Sequence, residues 1–221
     1  MGNTLTIFDL DNTLIQGDSS TVWSQFMVRE GLATQKGYLA REARLMADYD
    51  RGEMNIADYV ALIQAPLAGI PKSDVDALVA RCVREAILPR VYPQAWELIR
   101  RLRAEGEQML IISASVSLLV QAVAAALEID QALGIDVEMV DGGYSGVIAG
   151  IPSYQQGKVA RLAQWREAHP QYDGEVTFYT DSINDLPLCL HADSVRLVNP
   201  CPQLQAAGAG YGWPVLSWRL E

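Results

Sequence analysis

Residues 7–14 read IFDLDNTL, an apolar run that carries two aspartates. Side chains two positions apart on a β-strand point the same way, so Asp9 and Asp11 should converge at the carboxyl end of a first strand. In open α/β sheets, ligands bind at that end of the strands. Two neighbouring carboxylates repel each other and favour a cation between them. The alternative is that one of them caps the following turn while the other is solvated.

Further short apolar runs repeat along the chain, with helical patterns between them. Runs that are apolar almost throughout are typical of strands buried on both faces, and such strands belong to parallel sheets covered by helices. We therefore predict an α/β fold with a Rossmann-like parallel sheet, and a separate β-hairpin at residues 138–148. The runs after the first cover residues 109–112, 176–179, 195–198 and 215–216.

A long helical insertion follows the first strand. Residues 15–87 contain amphipathic patterns of helical period, which is far too much chain for one crossover helix. We predict a core formed by residues 1–14 and 88–221, and a helical cap formed by residues 15–87. The hinges between them should lie at residues 14–17 and 88–93. The helical patterns cover residues 21–30, 35–49, 56–65 and 72–86.

The composition argues against several classes of function. The chain has 221 residues and a formal net charge of −10, which repels phosphate backbones, so no nucleic-acid partner is expected. Three widely spaced cysteines with no CxxC pair, and only two histidines, argue against a disulfide framework and a zinc site. A reducing, cytoplasmic compartment is the expectation. The composition assigns no oligomeric state.

No membrane partner is expected either. Residues 108–127 carry no charge over a length that could span a bilayer, but serines interrupt them and a strand, a turn and a helix explain them better. Gly2 fits a loose myristoylation pattern, but no polybasic patch supplies the second anchor that stable membrane binding needs.

Three further sets of polar residues stand at predicted strand ends and helix starts. Ser113 follows the second apolar run, where its hydroxyl and the amides of a helix N-terminus could hold a phosphate oxygen. Lys158 opens a helical pattern in a chain that otherwise prefers arginine. Asp181 and Asp185 follow the run at residues 176–179 and share one face of the next helix. Each set alone also fits an ordinary helix cap or a solvated side chain.

Taken together in chain order, these residues resemble the motifs of the haloacid dehalogenase (HAD) superfamily of phosphatases. The DxDxT motif matches residues 9–13, the Ser/Thr and Lys motifs match Ser113 and Lys158, and the DxxND motif matches residues 181–185. The resemblance spans essentially the whole chain. The insertion resembles the helical cap of the phosphoserine-phosphatase-like subclass. Residues 150–154 and 181–188 are most similar to its subclass IB hydrolases, which include a histidinol-phosphatase-like branch.

This resemblance implies the HAD fold and an enzyme that hydrolyses a small phosphorylated metabolite with Mg²⁺ as its cofactor. Asp9 would be the nucleophile that forms an aspartyl-phosphate, and Asp11 would be the general acid and base. Asp185 would support the water shell of the metal. The implied phosphate-binding residues are Ser113, Lys158 and Asn184, and the other implied metal ligands are Asp9, Asp11 through its backbone carbonyl, and Asp181.

Departures from the family pattern bear on the substrate. Asp18 stands seven residues after Asp11, where phosphoserine phosphatases carry a glutamate that grips the substrate's amino group. An approximate alignment puts Ile63 where those enzymes carry the arginine that clamps a carboxylate, although Arg44 or Arg51 could substitute from another turn. The expected substrate is an amino-bearing phosphate without a carboxylate, with histidinol phosphate first. Phosphocholine, phosphoethanolamine and phosphoserine are the alternatives.

Other interpretations compete with this one. Asp18 precedes Ser-Ser-Thr and could simply cap the first cap helix. A phosphotransferase would form the same aspartyl-phosphate and pass the phosphoryl group to another alcohol. A non-catalytic phospho-acceptor similar to a response-regulator receiver also combines acidic residues, Ser/Thr and Lys on a parallel sheet. Receivers, however, are much shorter, lack a helical insertion and carry the acceptor aspartate on a middle strand.

Overall fold

Six parallel strands form the main sheet of the protein, whose computed structural model describes residues 3–220. In chain order the strands are β1 (Leu5–Phe8), β2 (Gln108–Val116), β3 (Gln131–Ile135), β4 (Val137–Val140), β5 (Gly143–Ile148), β6 (Val176–Thr180), β7 (Ser194–Val198) and β8 (Val215–Leu216). The order across the main sheet is β3-β2-β1-β6-β7-β8. Leu5 of β1 pairs with Gln108 on β2 and with Val176 on β6. Phe8 at the end of β1 pairs with Ile111 and with Tyr179, so the three strands point to the same edge of the sheet.

Helices cover both faces of the sheet, which confirms the predicted α/β fold. Ile7 of β1 belongs to a buried cluster with Leu162, whereas the next residue, Phe8, belongs to a second cluster with Ile99 on the other face. The helices are α1 (Ser19–Arg29), α2 (Tyr38–Asp50), α3 (Ile56–Gln64), α4 (Lys72–Cys82), α5 (Pro93–Ala104), α6 (Ser117–Ala126), α7 (Gln156–Ala168), α8 (Leu186–Cys189) and α9 (Pro202–Ala209).

β2 is longer than the sequence predicts and carries Ser113 in its interior. The apolar run indicates an end at residue 112 with a helix soon after, whereas the strand continues for four residues more and α6 begins at Ser117. The strand can continue because buried partners satisfy its polar groups. Ser153 Oγ donates to Ser113 O at 2.6 Å, and Ser115 N donates to Ser113 Oγ at 3.1 Å. The expectation that Ser113 stands at a helix N-terminus is therefore wrong.

The hairpin of β4 and β5 forms a two-stranded sheet of its own. It packs on the helices of the insertion, residues 15–87, which is called the cap below. At Gly146 of β5, a Cβ would lie 3.9 Å from the Cα of Ala61 in α3. At the turn, Lys72 N of α4 donates to Gly142 O at 3.2 Å. The predicted hairpin is present, and it extends the helical layer formed by α1 to α4.

Two connections join these helices to the sheet, and they pair with each other. Gln16 N donates to Arg90 O at 2.8 Å, and Tyr92 N donates to Leu14 O at 3.0 Å. The pairing is antiparallel. The predicted hinge segments therefore form a short two-stranded ribbon, which is called the hinge ribbon below.

Within residues 3–220 no helix combines the length and the apolar character that crossing a bilayer requires. The uncharged segment at residues 108–127 is divided mainly between β2 and α6. Gly2 lies outside the described residues.

Candidate active site

Asp9 and Asp11 lie just beyond the carboxyl end of β1. Asp9 N donates to Tyr179 O of β6 at 2.9 Å, and the residue is only 3% exposed. Asn12 has a left-handed backbone with φ of 53°, which turns the chain out of the sheet. Asp9 and Asp11 line one inner pocket together with Ser113. The nucleophile, the general acid–base and the hydroxyl that the family motifs imply are thus in one place.

Lys158 is buried between two carboxylates. Its Nζ lies 2.7 Å from Asp9 Oδ1 and 2.6 Å from Asp185 Oδ1, and the residue is 1% exposed. Thr180 Oγ1 donates to the other Asp185 oxygen at 2.7 Å. Burial opposes the charged ammonium, but the Asp185 and Asp9 carboxylates outweigh it and raise the pKa of Lys158. The side chain therefore places a fixed positive charge beside Asp9.

The carboxylates around this lysine outnumber it. Burial raises the pKa of Asp181 well above its usual range, and the charges of Asp9 and Asp185 add to the rise. Burial also raises the pKa of Asp9 to about 7, although Lys158 opposes the rise. Such a set of acids is stabilised by a further cation.

The oxygens of this cluster suit Mg²⁺, a hard cation that takes oxygen ligands. Thr13 Oγ1 lies 3.5 Å from both Asp9 Oδ2 and Asp181 Oδ1, so these two carboxylate oxygens face one small space. Within the described range 3–220, no three His, Cys, Asp or Glu side chains form a metal site by themselves. A metal here would therefore need the backbone carbonyl of Asp11 and water beside the two carboxylates.

Two of the predicted site residues have other partners in the structure. One oxygen of Asp185 forms the ion pair with Lys158 Nζ, and the other accepts from Thr180 Oγ1. The Asn184 amide bridges core and cap: its Nδ2 donates to Tyr49 O at 2.7 Å, and its Oδ1 accepts from Gln155 Nε2 at 3.2 Å. Neither Asp185 nor Asn184 lines the cavity where a phosphate ester would lie. The roles that the family motifs imply for Asp185 at the water shell of a metal and for Asn184 at the phosphate stay predictions.

A cavity of about 590 Å³ opens between core and cap and shares four lining residues with the inner pocket: Asp11, Asp18, Met46 and Tyr49. Its lining is strongly acidic and includes Asp11, Asp18, Asp50 and Asp181. In the part of the chain that the structure describes, no lysine or arginine lines this cavity or the inner pocket. The cavity therefore suits a positively charged group better than a carboxylate.

On the cap side of the cavity, the residues are not the ones that the approximate alignment places there. Ile63 is fully buried in the hydrophobic core and does not line the cavity. Arg51 is exposed and pairs with Asp48 and Glu53. Arg44 lines a separate groove on the cap. Neither arginine replaces the missing carboxylate clamp.

The inner pocket is also lined by cap side chains that no sequence motif indicates. Tyr49 of α2 and Tyr59 of α3 are the polar ones. Burial raises the pKa of Tyr49 well above its usual range, and the nearby charge of Asp185 adds to the rise. A tyrosine hydroxyl on the apolar face of a predicted helix is the signal that could have indicated them. The cap side chains of the pocket are Asp18, Met46, Tyr49, Met54 and Tyr59.

Asp18 both caps a helix and lines the cavity. It is the N-cap residue of α1, with Oδ1 accepting from Thr21 N at 2.7 Å. It also lines the cavity and its inner pocket. Burial raises the pKa of Asp18 to about 6 against the opposing effect of the Thr21 amide, and the Glu42 charge adds to the rise. The two roles that the sequence allows for Asp18 are therefore compatible.

Comparisons with known proteins agree with this geometry. A family model described as haloacid dehalogenase-like hydrolase matches residues 6–189. The histidinol-phosphatase of Neisseria meningitidis serogroup C (strain 8013) is 33% identical over an alignment of 219 residues that covers 97% of this chain and 99% of that protein.

Solved structures show the same fold. A protein of unknown function from Bordetella pertussis Tohama I matches with a TM-score of 0.88 and 31% identity, covering 98% of this chain and 99% of that one. A phospho-aspartyl intermediate analogue of phosphoserine phosphatase matches with a TM-score of 0.68 and 17% identity, covering 93% and 91%. The chain belongs to the haloacid dehalogenase-like hydrolase family, and its relatives support phosphatase activity.

Proposed function

We propose that the protein hydrolyses a small phosphomonoester whose alcohol carries a positive charge and no carboxylate, with histidinol phosphate as the first candidate. The charge of the cavity between core and cap carries this proposal. Its lining includes Asp18 and Asp50 and, among the described residues, no basic side chain. The name of the Neisseria relative supports the same substrate.

Hydrolysis takes two steps at Asp9. In the first, a carboxylate oxygen of Asp9 attacks phosphorus, the bond from phosphorus to the alcohol oxygen breaks, and Asp11 gives that oxygen its proton. In the second, Asp11 takes a proton from water, the water oxygen attacks phosphorus, and the bond to Asp9 breaks to release phosphate. Burial raises the pKa of Asp11 to about 7, and the Asp18 charge adds to the rise. A carboxyl group with this pKa can both donate and accept a proton near neutral pH.

The phosphoryl oxygens need positive charge and hydrogen-bond donors. Lys158 and Ser113 would hold them, and the lysine is already fixed beside Asp9, at 2.7 Å from Oδ1. Charges that are in place before the reaction need little reorganisation, which is how such sites stabilise transition states. When bound, Mg²⁺ would supply further charge neutralisation at the same oxygens. Asp9, Asp181 and the backbone carbonyl of Asp11 would hold it.

The acidic lining of the cavity also decides the order of the alternative substrates. The carboxylate of phosphoserine would face Asp18 and Asp50 without an arginine to hold it. Phosphocholine and phosphoethanolamine carry the right charge and are the second candidates. A phosphotransferase would share the first step, and product analysis distinguishes it because the product is a new ester instead of free phosphate.

Replacing Asp18 tests the substrate class. Asparagine is as good an N-cap as aspartate, so Asp18→Asn removes the charge and keeps the start of α1. We expect kcat/KM for histidinol phosphate to fall about 10- to 150-fold, as for a charge-assisted hydrogen bond of roughly 1.5–3 kcal/mol. For p-nitrophenyl phosphate, which has no amino group, kcat/KM should stay within about threefold of wild type.

A second helix cap provides the control. Asn55 caps α3 by accepting from Ala57 N and Asp58 N, and it carries no charge. Asn55→Ala should lower the thermal unfolding temperature without selecting between the two esters. If Asp18→Asn lowers turnover of both esters equally, Asp18 is only a helix cap and the cationic substrate loses its support.

A further inference from the structure

A cluster of buried hydroxyl groups lies behind Asp11. Ser115 Oγ donates to Asp11 Oδ2 at 3.0 Å. Ser19 Oγ and Ser20 Oγ lie 3.1 and 3.0 Å from Ser115 Oγ, and Tyr59 OH bonds to Ser20 Oγ. All four hydroxyl-bearing residues are 3% exposed or less. Buried hydroxyls need partners, and here the partners lead from one to the next and end at the carboxylate.

The protons of this cluster can be assigned by counting. Each hydroxyl has one proton to donate and two lone pairs to accept with. If Ser115 donates to ionised Asp11, its oxygen can accept from both Ser19 and Ser20, and Ser20 can accept from Tyr59. In this arrangement every proton of the cluster has an acceptor and every donor points towards Asp11. Hydrogen bonds that follow one another in this way polarise and strengthen each other.

The other oxygen of Asp11 is held as well. Ser19 N donates to Asp11 Oδ1 at 2.6 Å. With one donor on each oxygen, the plane of the carboxyl group is fixed, while each oxygen keeps a lone pair for a proton or a substrate. A general acid must stand within hydrogen-bond reach of the leaving oxygen at the correct angle. The donors on Asp11 supply that orientation before a substrate arrives.

We propose that Ser115 is a positioning residue for the general acid–base Asp11, through a hydroxyl chain that the cap completes. The inference rests on the proposed function, because it assumes that Asp11 protonates the leaving alcohol. Ser115 belongs to β2 of the core, Ser19 and Ser20 begin α1, and Tyr59 lies in α3. Since three of the four hydroxyls come from the cap, the chain is complete only when the cap sits on the core as it does here. Cap closure and the orientation of the general acid are thereby linked.

The dependence of rate on the leaving group separates positioning of an acid from mere structural support. Phenyl phosphate and p-nitrophenyl phosphate have nearly the same shape, but the nitro group stabilises the leaving phenolate and reduces its need for a proton. We expect Ser115→Ala to lower kcat/KM for phenyl phosphate about tenfold or more and for p-nitrophenyl phosphate less than about threefold. Tyr59→Phe, which removes the far end of the chain, should shift the same ratio in the same direction by a smaller factor. Ser115→Thr, which keeps the hydroxyl, should restore the wild-type ratio.

A matched control removes a buried hydroxyl from the same cap helix. Ser24 of α1 is fully buried, and its Oγ lies 3.4 Å from Tyr38 OH, away from Asp11. Ser24→Ala should leave the ratio of the two rates at its wild-type value. If Ser115→Ala and Tyr59→Phe change both rates by the same factor, the hydroxyl chain only supports the fold and the inference is overturned. Tyr59→Phe decides the question if Ser115→Ala does not fold.

Asp11→Asn separates this failure from a failure of the proposed function. It should lower kcat/KM for phenyl phosphate by about a hundred- to ten-thousandfold, and much less for p-nitrophenyl phosphate. An equal loss on both esters would remove Asp11 as general acid, and the proposed mechanism would fall together with the inference. A selective loss in Asp11→Asn without one in Ser115→Ala and Tyr59→Phe would overturn the inference alone.

Discussion

Burying the charge of Lys158 costs desolvation free energy, so the stability of the fold alone does not explain why a lysine stands at this position. A buried ion pair carries a desolvation penalty that its attraction often fails to offset, and hydrophobic residues of similar volume can replace it without loss. Here one ammonium faces Asp9 and Asp185 at 2.7 and 2.6 Å, at the edge of the sheet where ligands bind. The arrangement holds a positive charge next to the nucleophile, which phosphoryl transfer requires.

Asp9→Asn should abolish turnover and leave the fold intact. An amide cannot form the aspartyl-phosphate, so phosphate release should fall by about three orders of magnitude or more. Lys158 keeps Asp185 as its partner, so thermal unfolding should remain a single cooperative transition. Chelation of Mg²⁺ should cause a comparable loss in the wild type. The control is Asp76→Asn, which removes an exposed ion pair with Lys72 and should keep full activity. If Asp9→Asn keeps more than about 1% of the wild-type activity, the covalent mechanism is contradicted.

At the scale of single residues, the sequence predicts the site residues that directly follow its apolar runs. Asp9 and Asp181 follow strands of a parallel sheet, so their meeting at one edge could be inferred from the order of the runs alone. Tyr59 comes from a cap helix, and its position depends on how the cap packs on the core. No local pattern indicates the role of Ser115, because its partner Ser20 is 95 positions away in the chain.

At the scale of elements, two side-chain amides fasten the end of α2 to the core. Asn184 Nδ2 donates to Tyr49 O at 2.7 Å, and Gln155 Nε2 donates to Gly52 O at 3.1 Å. Gln155 has φ of 49° and ψ of −123°, which residues other than glycine rarely adopt, and it is the N-cap residue of α7, the helix of Lys158. In this arrangement the chain just after α2 is bonded to the N-cap residue of the helix that carries the buried lysine.

Gly52→Ala should disturb this contact specifically. Gly52 has φ of +74°, and a Cβ there would lie 3.3 Å from Asn184 Oδ1 and 3.6 Å from Gln155 Nε2. Gly69 has φ of +76° and nothing within 4 Å, so Gly69→Ala is a matched control for backbone strain. In both variants, thermal unfolding should show that the free energy of unfolding falls by roughly 1 kcal/mol or more. Steady-state kinetics should show a raised KM only for Gly52→Ala. Equal KM values would mean that the contact plays no part in substrate binding.

The strand and the helix end that the sequence does not predict depend on long-range packing. β3 has the sequence QALGI, which lacks the β-branched and aromatic run that signals a strand. Its Gly134 lies so close to the start of α6 that a Cβ would be 2.7 Å from Ser117 Cα. The pattern at residues 72–86 likewise predicts one helix, whereas α4 ends at Cys82 and a π-helical turn follows at Val83–Ile87.

At the scale of the whole molecule, the net charge of −10 is partly concentrated in one cavity. Asp18, Asp50 and Asp181 come from the cap and from the core, and they line the same space. A cleft lined by one sign of charge between low-dielectric walls concentrates ions of the opposite sign. The sequence predicts the charge and the insertion, but which acids share a cavity depends on the way in which cap and core pack together.

The cap is expected to rotate as a unit on the hinge ribbon. The structure holds the site in a closed arrangement, with Asp9 only 3% exposed and Asn184 bonded to the cap. Phosphoryl transfer has to exclude water in its first step, whereas its second step needs water and the product has to leave. A ribbon held by few backbone bonds, such as Gln16 N to Arg90 O, can bend while the sheet stays unchanged.

Crystals grown with and without a phosphate analogue should therefore show α1 to α4 and the β4–β5 hairpin at two different angles to the same sheet. The hairpin should move with the helices because it packs on α3 and forms no strand of the main sheet. Identical cap positions in lattices that leave the cap free would contradict the rotation. The substrate would then have to enter through the cavity of about 590 Å³ as it stands, and the hydroxyl chain behind Asp11 would be complete at every stage of the reaction.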